Sequence, residues 1–345
     1  MRSGHTTVQR RGRIGRAAIA LLAAVIFAAA FHTSVAAEQL ITLRYGAAFS
    51  IMRSIYSLPV MVARDQGFFK KEGLDLKIIV PFPGGSDKMI DALYDDTVDI
   101  THVATPFLIR ASRNGSDAVA IATEFANPIY SLVARPEITD FAGLKGKTLG
   151  FADEEGSITV SMLRLLTMKG LKTGDYVVKI VPGTPARMAC LTKGECDAVP
   201  LGQPQDLVAQ SQGYHILGLS TDAMPDLLYT VTAVSKAWAQ KHPDAVQKYV
   251  NALGASFRFI RDPENRDAVV KTIVETTKVT PEIARQTMAL YLDPDRGVLP
   301  KQGEIRLSGL TNVITMMGNA GLIKGPLPNA QQFVDLRYLK AAGAQ

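Results

Sequence analysis

The sequence predicts an α/β protein of two lobes, each built on a mainly parallel sheet that is covered by helices. Three observations lead to this prediction. Short β-branched runs alternate with amphipathic helical segments through the first two thirds of the chain, which is typical of parallel strands joined by right-handed crossovers. Helical segments dominate the last third. The length of 345 residues exceeds what a single hydrophobic core usually supports.

The strand signals form two series with a break near residue 127. Strands in the first series are predicted at 40–46, 74–80, 98–104 and 119–124, and helices at 57–69, 87–94 and 106–114. Strands in the second series are predicted at 129–135, 148–151, 176–181, 198–202 and 214–219, and helices at 157–169, 185–193 and 204–212. Ser157 is the expected N-cap of the first helix in this second series.

A strand at 229–234 precedes the helical part of the chain, whose segments lie at 236–241, 243–260, 264–274, 281–291, 304–318 and 329–340. Pro243 and Pro281 occupy first-turn positions, where the missing N–H of proline costs nothing. The simplest arrangement has the chain crossing between the lobes twice. The first lobe would then be residues 37–127 plus 229–345, with the helical region packed on it, and the second lobe residues 128–228. A cleft is expected at the carboxyl ends of the strands.

The N-terminus resembles an export signal rather than part of the fold. Five arginines precede an apolar run at 17–31, and Ser34-Val35-Ala36 supplies the small residues of a cleavage site. The run is shorter than the ~20 residues that a spanning helix needs, although an uncleaved anchor is the alternative. Export through the Sec or the twin-arginine route, and cleavage after Ala36 or Ala37, both remain open. The mature protein is expected in the periplasm.

The net charge of +6 comes almost entirely from this N-terminal segment. Residues 1–36 hold five of the 38 basic residues and no acidic residue, which leaves 33 basic residues against 32 acidic ones in the remainder. A nearly neutral chain lacks the electrostatic footprint of a nucleic-acid-binding protein. We therefore expect no nucleic-acid partner.

Several motifs occur in a fixed order along the chain. The longest is residues 58–76, LPVMVARDQGFFKKEGLDL. The others are GGS at 84–86, DITHVAT at 99–105, LKGKTLG at 144–150, GS at 156–157, GECDA at 194–198 and VSKAWAQKHPDAV at 234–246. Together they resemble the nitrate/sulfonate/taurine (SsuA/THI5-like, NMT1-like) family of periplasmic solute-binding proteins of ABC importers. The resemblance covers residues 42–250, and the order and spacing of the motifs make it specific.

The resemblance implies the type II fold of periplasmic binding proteins, with two Rossmann-like lobes that close on a small molecule. The implied protein is a monomer that carries a sulfonate, nitrate, taurine or pyrimidine-like solute to an ABC permease. It is not an enzyme and needs no cofactor. A sensor receptor and a secreted enzyme on the same two-lobed fold are the alternatives.

Three segments of the first lobe are candidate ligand contacts. The loop at 81–87 contains Gly84 and Gly85, which allow close approach of the backbone, and Ser86 at a helix start with free N–H groups. Thr105 ends one strand, where it can cap the next helix or face the cleft. The segment after the first strand offers two serines and a tyrosine, namely Ser50, Ser54 and Tyr56. An ordinary structural role is the alternative for each.

The second lobe offers an equivalent set. Gly156, Ser157 and Thr159 lie at a helix start, and Gln203 follows a strand with both a donor and an acceptor. The acids at 153–155 would oppose an anionic ligand if they faced the cleft. Glu124 and Tyr229 lie near the two crossings, where they could contact the ligand or brace the hinge.

The two cysteines, Cys190 and Cys196, are six positions apart. An exported protein can form a disulfide between them, and a pair of free buried thiols is the alternative. No histidine or carboxylate cluster with metal-ligand spacing lies near them, so no metal site is expected. The chain lacks the G-x-S-x-G, P-loop, HExxH and G-x-G-x-x-G motifs, and no catalytic residue is assigned.

Overall fold

The computed structural model describes residues 1–4, 39–82, 86–154, 156–224 and 226–344. The predicted export signal at residues 1–36 lies outside these residues except for its first four positions. Residues 40–345 form one compact unit, which contains every strand and helix of the described chain. Within the described part of the chain, no helix has the length and apolar character that crossing a membrane requires.

Ten strands form two sheets of five. In chain order they are β1 (Ile41–Ala48), β2 (Leu74–Phe82), β3 (Ile100–Ala104), β4 (Ala118–Phe125), β5 (Tyr130–Ala134), β6 (Thr148–Phe151), β7 (Val177–Ile180), β8 (Ala198–Gly202), β9 (His215–Leu219) and β10 (Thr230–Ser235). The order in the first sheet is β2-β1-β3-β10-β4, and in the second β7-β6-β8-β5-β9. All ten predicted strands are present, and the predicted α/β fold is confirmed.

Each sheet is mixed because one strand runs against the other four. In the first sheet β10 is antiparallel to β3 and β4, and in the second β5 is antiparallel to β8 and β9. These are the two strands that directly follow a crossing between the sheets. The preceding strand ends at the edge where the sheets meet, so the next strand must start at that edge and run away from it. The crossings therefore account for both reversals.

Fifteen α-helices surround the sheets in the described part of the chain. In chain order they are α1 (Phe49–Met52), α2 (Leu58–Asp65), α3 (Phe68–Lys71), α4 (Ser86–Asp91), α5 (Thr105–Arg113), α6 (Ser157–Met168), α7 (Thr184–Thr192), α8 (Gln205–Ser211), α9 (Ser220–Ala223), α10 (Lys236–Lys241), α11 (Pro243–Arg261), α12 (Arg266–Thr277), α13 (Pro281–Leu292), α14 (Leu307–Asn319) and α15 (Arg337–Ala341).

Three local predictions about helices are wrong. The single helix expected at 329–340 is instead a short 3-10 helix at Ala330–Phe333 followed by α15, with residues 334–336 outside both. The single helix expected at 57–69 is divided into α2 and α3, because Gly67 adopts a φ of 72° that an α-helix cannot contain. The expected N-cap of α6 was Ser157. The observed N-cap is Gly156, which leaves Ser157 as the first helical residue.

The C-terminal helices pack mainly on the first sheet, as the sequence predicts. Helix α11 contacts α2, α3 and β2, while α14 contacts α5 and α15 contacts β4. The ring of Tyr249 from α11 stacks between Tyr45 of β1 and Phe69 of α3, at centroid distances of 6.3 and 5.7 Å. Every residue of β4 is buried, as expected for a strand covered on both faces.

Two connections join the sheets, one at residues 126–129 and one at 220–229, and they hydrogen-bond to each other. The backbone N–H of Tyr229 donates to the carbonyl oxygen of Ala126 at 2.8 Å, and the N–H of Leu227 donates to Asn127 Oδ1 at 2.7 Å. The hydroxyl of Ser220 donates to the carbonyl of Pro128 at 2.7 Å. This pairing holds the two connections together as one bridge.

Candidate ligand-binding site

A groove of about 440 Å³ lies where the carboxyl ends of strands from both sheets meet. On the first-sheet side, the wall is formed by residues of α5, which directly follows β3. One residue of α14 and one residue just after α14 complete it. Its wall on the second-sheet side follows β6 and β7. The lining residues are Pro106, Phe107, Arg110, Met317 and Leu322 on the first side, and Ala152, Asp153, Glu154, Gly156, Ile180 and Pro182 on the second. This is the edge of such sheets where ligands generally bind.

The groove is largely apolar, with charges of both signs at its rim. The guanidinium of Arg110 lies 4.7 Å from the ring centroid of Phe107, on the first-sheet side. Asp153 and Glu154 are exposed on the other side. A molecule in this groove would contact apolar side chains along its body and meet charge only at its ends.

The acidic segment after β6 is tied to the start of α6. The N–H of Gly156 donates to Asp153 Oδ1, and the hydroxyl of Thr159 donates to the carbonyl of Asp153 at 3.0 Å. A Cβ at position 156 would lie 2.3 Å from Asp153 Oδ2, so a larger residue there would displace the Asp153 carboxylate from this turn. The Asp153 carboxylate therefore stabilises the helix start, where negative charge is favourable, and Thr159 helps to close the same turn.

Behind the groove, five aromatic rings cluster around the connections between the sheets. Tyr56 is central, with centroid distances of 5.0 Å to Phe125, 6.0 Å to Tyr130, 5.5 Å to Tyr229 and 6.3 Å to Tyr291. Its hydroxyl donates to the carbonyl of residue 129 at 3.2 Å. We refer to these five residues as the tyrosine cluster.

Burial keeps the hydroxyls of Tyr56, Tyr229 and Tyr291 protonated. It raises the pKa of these three tyrosines well above that of an exposed tyrosine, and the nearby Tyr130 adds to the effect in each case. The hydroxyl oxygens of Tyr130 and Tyr229 are 3.4 Å apart. The hydroxyls of Tyr56 and Tyr291 already donate to the carbonyl of residue 129 and to Gln203 Oε1, so the other two hydroxyls of the cluster are those of Tyr130 and Tyr229.

Arg187 on α7 brings a positive charge to the carboxyl ends of β7 and β8. Its side chain is 2% exposed. Nε donates to the carbonyl of Pro200 at 2.7 Å, Nη1 to the carbonyl of Val181 at 3.3 Å, and Nη2 to Thr184 Oγ1 at 3.1 Å. Burial lowers the pKa of this guanidinium, while the nearby Tyr130, Tyr229 and Asp153 act in the opposite direction.

Two buried threonines lie at the end of the first sheet, next to Tyr229. The N–H of Thr105 donates to the carbonyl of Tyr229 at 3.0 Å, and Thr230 pairs with residue 104 across the sheet. Neither Oγ1 has a hydrogen-bond partner among the described residues. Both hydroxyls therefore retain the capacity to hydrogen-bond to another molecule.

Gln203 links the second sheet to the tyrosine cluster. The hydroxyl of Tyr291 donates to Gln203 Oε1 at 3.2 Å, and Gln203 Nε2 donates to Asp206 Oδ2 at 2.7 Å. Gln203 is 1% exposed. Burial raises the pKa of Asp206, which its hydrogen bonds from Ser131 and Gln203 oppose. Both polar ends of the Gln203 amide are therefore already engaged within the protein.

Glu124 is fully buried on β4 of the first sheet and does not line the groove. Its carboxylate accepts hydrogen bonds from the hydroxyl of Tyr45 at 3.1 Å and that of Thr232 at 2.7 Å, and it lies 2.7 Å from His102 Nδ1. A further hydroxyl, of Tyr249, lies 3.0 Å from Thr232 Oγ1. The alternation of strand side chains places these groups on one face of the sheet.

The remaining predicted contacts of the first lobe contribute less to the described site. Ser54 stabilises a local turn, since its hydroxyl donates to the carbonyl of residue 51 at 2.8 Å and accepts from the N–H of Tyr56. Gly84 and Gly85 lie outside the described residues. The backbones of Ser50 and Ser86 begin or extend short helices, and their side chains are not among the described parts.

The structure therefore brings together four of the predicted positions, which are Tyr56, Thr105, Gln203 and Tyr229. Gly156 lines the groove itself, and Ser157 is buried behind it at the first turn of α6. The sequence reasoning missed Arg187, Tyr130 and Tyr291, as well as the apolar groove wall. A usable signal existed only for Tyr130, which directly follows a crossing.

The two cysteines form a disulfide between the end of α7 and the residues that lead into β8. Their sulfur atoms are 2.01 Å apart. The bond lies between Cys190, one turn after Arg187, and Cys196, two residues before Ala198 of β8. It thereby holds the helix that carries Arg187 against the strand that accepts one of its hydrogen bonds.

Comparison of the sequence with those of known proteins assigns the chain to a family. The sequence model of the NMT1/THI5-like family matches residues 54–266, and the chain belongs to that family. YtlA of Bacillus subtilis (strain 168), named as a candidate binding protein, is 24% identical over 254 residues, which span 70% of this chain and 73% of YtlA. A 4-amino-5-hydroxymethyl-2-methylpyrimidine phosphate synthase of Schizosaccharomyces pombe is 23% identical over 60% of this chain and 63% of the synthase.

Solved structures show the same fold. The ligand-binding component of an ABC-type import system from Staphylococcus aureus superposes with a TM-score of 0.71 at 17% identity, over 89% of this chain and all of that one. The periplasmic aliphatic sulphonate binding protein SsuA from Escherichia coli superposes with a TM-score of 0.66 at 18% identity, over 88% of this chain and 99% of SsuA. The fold is that of periplasmic binding proteins.

Proposed function

We propose that this protein is the solute-binding component of an ABC import system. It captures one small molecule of the sulfonate, nitrate, taurine or pyrimidine-like class in the groove and delivers it to a membrane permease. It acts as a monomer in the periplasm after export, and it does not change its ligand chemically. Its family, its fold and the named roles of the structures that share this fold support the proposal.

The observation that carries the proposal is the composition of the groove, whose walls come from both sheets. A molecule bound there would touch residues after β3 on one side and after β6 and β7 on the other. Its binding energy would therefore favour the closed arrangement of the lobes over an open one. A permease could distinguish the loaded protein from the empty one by that difference.

The proposed lobes are residues 37–127 plus 229–345, and residues 128–228. The separation of the strands into two sheets, with paired connections between them, supports this division. We place the hinge at these connections, because a few residues at the ends of secondary-structure elements can absorb a closing motion. Tyr229 lies within this hinge and also belongs to the tyrosine cluster, so it is suited to transmit the presence of ligand.

A second candidate is an enzyme on the same fold. It is favoured by the similarity to pyrimidine phosphate synthases, which reaches 29% identity for THI5 of Saccharomyces cerevisiae over 35% of each chain. The two functions differ in one measurable respect, since an enzyme releases an altered molecule and a binding protein returns the molecule it captured.

Thermal unfolding of the mature protein tests both candidates. The compounds are taurine, hexanesulfonate, nitrate and 4-amino-5-hydroxymethyl-2-methylpyrimidine, each followed by mass spectrometry of the recovered compound. A ligand at about 1,000 times its Kd stabilises the folded state by about 4 kcal/mol, which raises Tm by several degrees. Stabilisation with unchanged compound supports binding. A modified compound would establish the enzyme, and no stabilisation by any of them would count against this ligand range.

A groove-filling variant shows whether the stabilising compound occupies the groove. Ala152→Phe places a ring among the lining residues, and Ala237→Phe adds the same ring at an exposed site on α10. Only the variant at 152 should lose the ligand-induced rise in Tm. Equal loss in both variants, or in neither, would place the ligand elsewhere.

A further inference from the structure

Arg187 is a buried charge that has no anionic partner among the described residues. Its three hydrogen bonds go to two backbone carbonyls and one hydroxyl, all of them neutral. A guanidinium has five N–H groups, so one N–H on Nη1 and one on Nη2 remain. Among the described residues, no carboxylate lies within ion-pair distance of it. Removing a charge from water in this way is unfavourable unless an opposite charge meets it.

The described carboxylate whose charge acts on Arg187 is already engaged. Asp153 influences the electrostatics of Arg187, but it caps the start of α6 through Gly156 and lies on the groove wall. Its negative charge favours the charged form of Arg187, but the two groups do not form an ion pair. The protein therefore retains a buried cation whose natural complement is an anion from outside.

Arg187 lies directly behind the groove. The carbonyl of Val181 accepts one of its hydrogen bonds, and the residues on either side, Ile180 and Pro182, line the groove. A second acceptor, the carbonyl of Pro200, is two residues from Gly202, where a Cβ would come within 3.1 Å of the ring of Tyr130. The guanidinium thus sits between the groove and the tyrosine cluster.

Neutral donors lie near this charge. Arg187 and the hydroxyl of Tyr229 influence each other electrostatically, and that hydroxyl is 3.4 Å from the hydroxyl of Tyr130. The hydroxyls of Thr105 and Thr230, at the neighbouring strand ends, have no partner among the described residues. Hydrogen bonds from neutral hydroxyls and a guanidinium are the usual complement of a carboxylate or a sulfonate.

We propose that the ligand is an organic monoanion with an apolar body, whose head binds Arg187 and the hydroxyls of Tyr130 and Tyr229. Its body fills the groove against Phe107, Ile180 and Leu322. This inference rests on the proposed function and narrows its ligand range. Nitrate would leave the apolar groove empty, and a neutral pyrimidine would leave the arginine unpaired. A carboxylate and a sulfonate share the required chemistry.

Matched pairs of probes test this assignment in the wild-type protein. Benzoate and benzenesulfonate carry the head and the body, benzamide has the body without the charge, and nitrate has the charge without the body. Isothermal titration should give the weakest binding, by about 10–100-fold, for benzamide and nitrate. The preference between benzoate and benzenesulfonate identifies the head. Binding of benzamide as tight as that of benzoate would overturn the proposal.

Variants then test whether the anionic head of the ligand binds Arg187. Arg187→Gln removes the charge, and Arg285→Gln removes an equally basic side chain that is exposed on α13. Affinity for the better acid should fall about 10–100-fold only at position 187, while affinity for benzamide stays unchanged. Arg187→Lys keeps the positive charge but replaces the guanidinium by a smaller ammonium group, so this variant should retain part of the affinity. Equal affinity in wild type and Arg187→Lys and Arg187→Gln would exclude Arg187.

The outcomes separate this inference from the proposed function. If the pyrimidine or nitrate binds tightly and both acids do not, solute binding stands and the role of Arg187 is excluded. If none of these compounds binds, the inference is overturned, and the ligand range given in the proposed function is contradicted as well. If Arg187→Gln fails to fold, the comparison of benzoate with benzamide on the wild type decides alone.

Discussion

Replacing Glu124 by leucine should destabilise the protein without touching the groove. The substitution removes the acceptor of three buried donors, on Tyr45, His102 and Thr232. The hydroxyl of Thr232 keeps a partner in Tyr249 at 3.0 Å, so two groups lose their partner outright. At about 1–3 kcal/mol for each of these two groups, the free energy of unfolding should fall by about 2–6 kcal/mol.

Urea unfolding followed by the fluorescence of Trp238 measures this change, because the chain contains one tryptophan and it lies in the first lobe. The corresponding fall in Tm is roughly 4–24 °C. Glu275→Leu, at an exposed site on α12, is the control and should change stability by less than about 0.5 kcal/mol.

The same experiment decides between the two roles that the sequence leaves open for Glu124. A stability loss with intact ligand affinity supports a structural role in the first lobe. A loss below about 1 kcal/mol, together with lost affinity, would refute the reasoning from the structure and assign Glu124 to the ligand.

Three further predictions concern stability. Replacing both Cys190 and Cys196 by alanine opens a loop with a sequence separation of 6 and should lower stability by about 2 kcal/mol, or Tm by roughly 4–8 °C. Gly309→Ala places a Cβ 2.7 Å from the backbone of the second connection and should cost about 1–3 kcal/mol in urea unfolding. Asp335→Asn should cost about 0.5 kcal/mol at pH 7, because hydrogen bonds from Arg337 lower the pKa of Asp335. That stability is present above the ordinary value of 3.8 and is lost as pH falls below it, so the two proteins should converge at low pH.

Controls for these predictions come from the same chain. Wild-type protein under reducing conditions should match the double alanine variant, and an equal Tm with and without reductant would contradict the role given to the disulfide. Gly318→Ala, on the same helix as Gly309, meets only the end of the Leu327 side chain and should be milder. For Asp335→Asn, a stability difference that persists unchanged at about pH 3 would contradict the ion-pair explanation.

Most of the secondary structure was predictable from local signals to within a few residues, although the helix expected at 329–340 is not continuous. Strands such as β4 were predictable because β-branched and apolar residues concentrate where a strand is buried on both faces. The break between α2 and α3 was not, since Gly67 is tolerated inside many helical patterns and only its observed φ of 72° shows that it ends one. The N-cap of α6 was missed because Gly156 owes its position to the contact with Asp153.

The candidate site was predictable only in part. Tyr56, Thr105, Gln203 and Tyr229 were found because they follow strand ends or crossings, where parallel sheets place their ligand contacts. Arg187 was missed because, within a helix, nothing in the sequence marks it off from a solvated arginine. Its burial depends on carbonyls at positions 181 and 200, which come from two different strands.

By itself, the sequence determined the alternation of strands and helices, the two crossings and the family, because these depend on local patterns and on the order of motifs. The tertiary structure alone decided which polar groups share an environment. It placed Glu124 in a core network and Arg187 between the groove and the tyrosine cluster. Side-chain burial and partners depend on residues that are distant in the chain, and no local pattern encodes such distances.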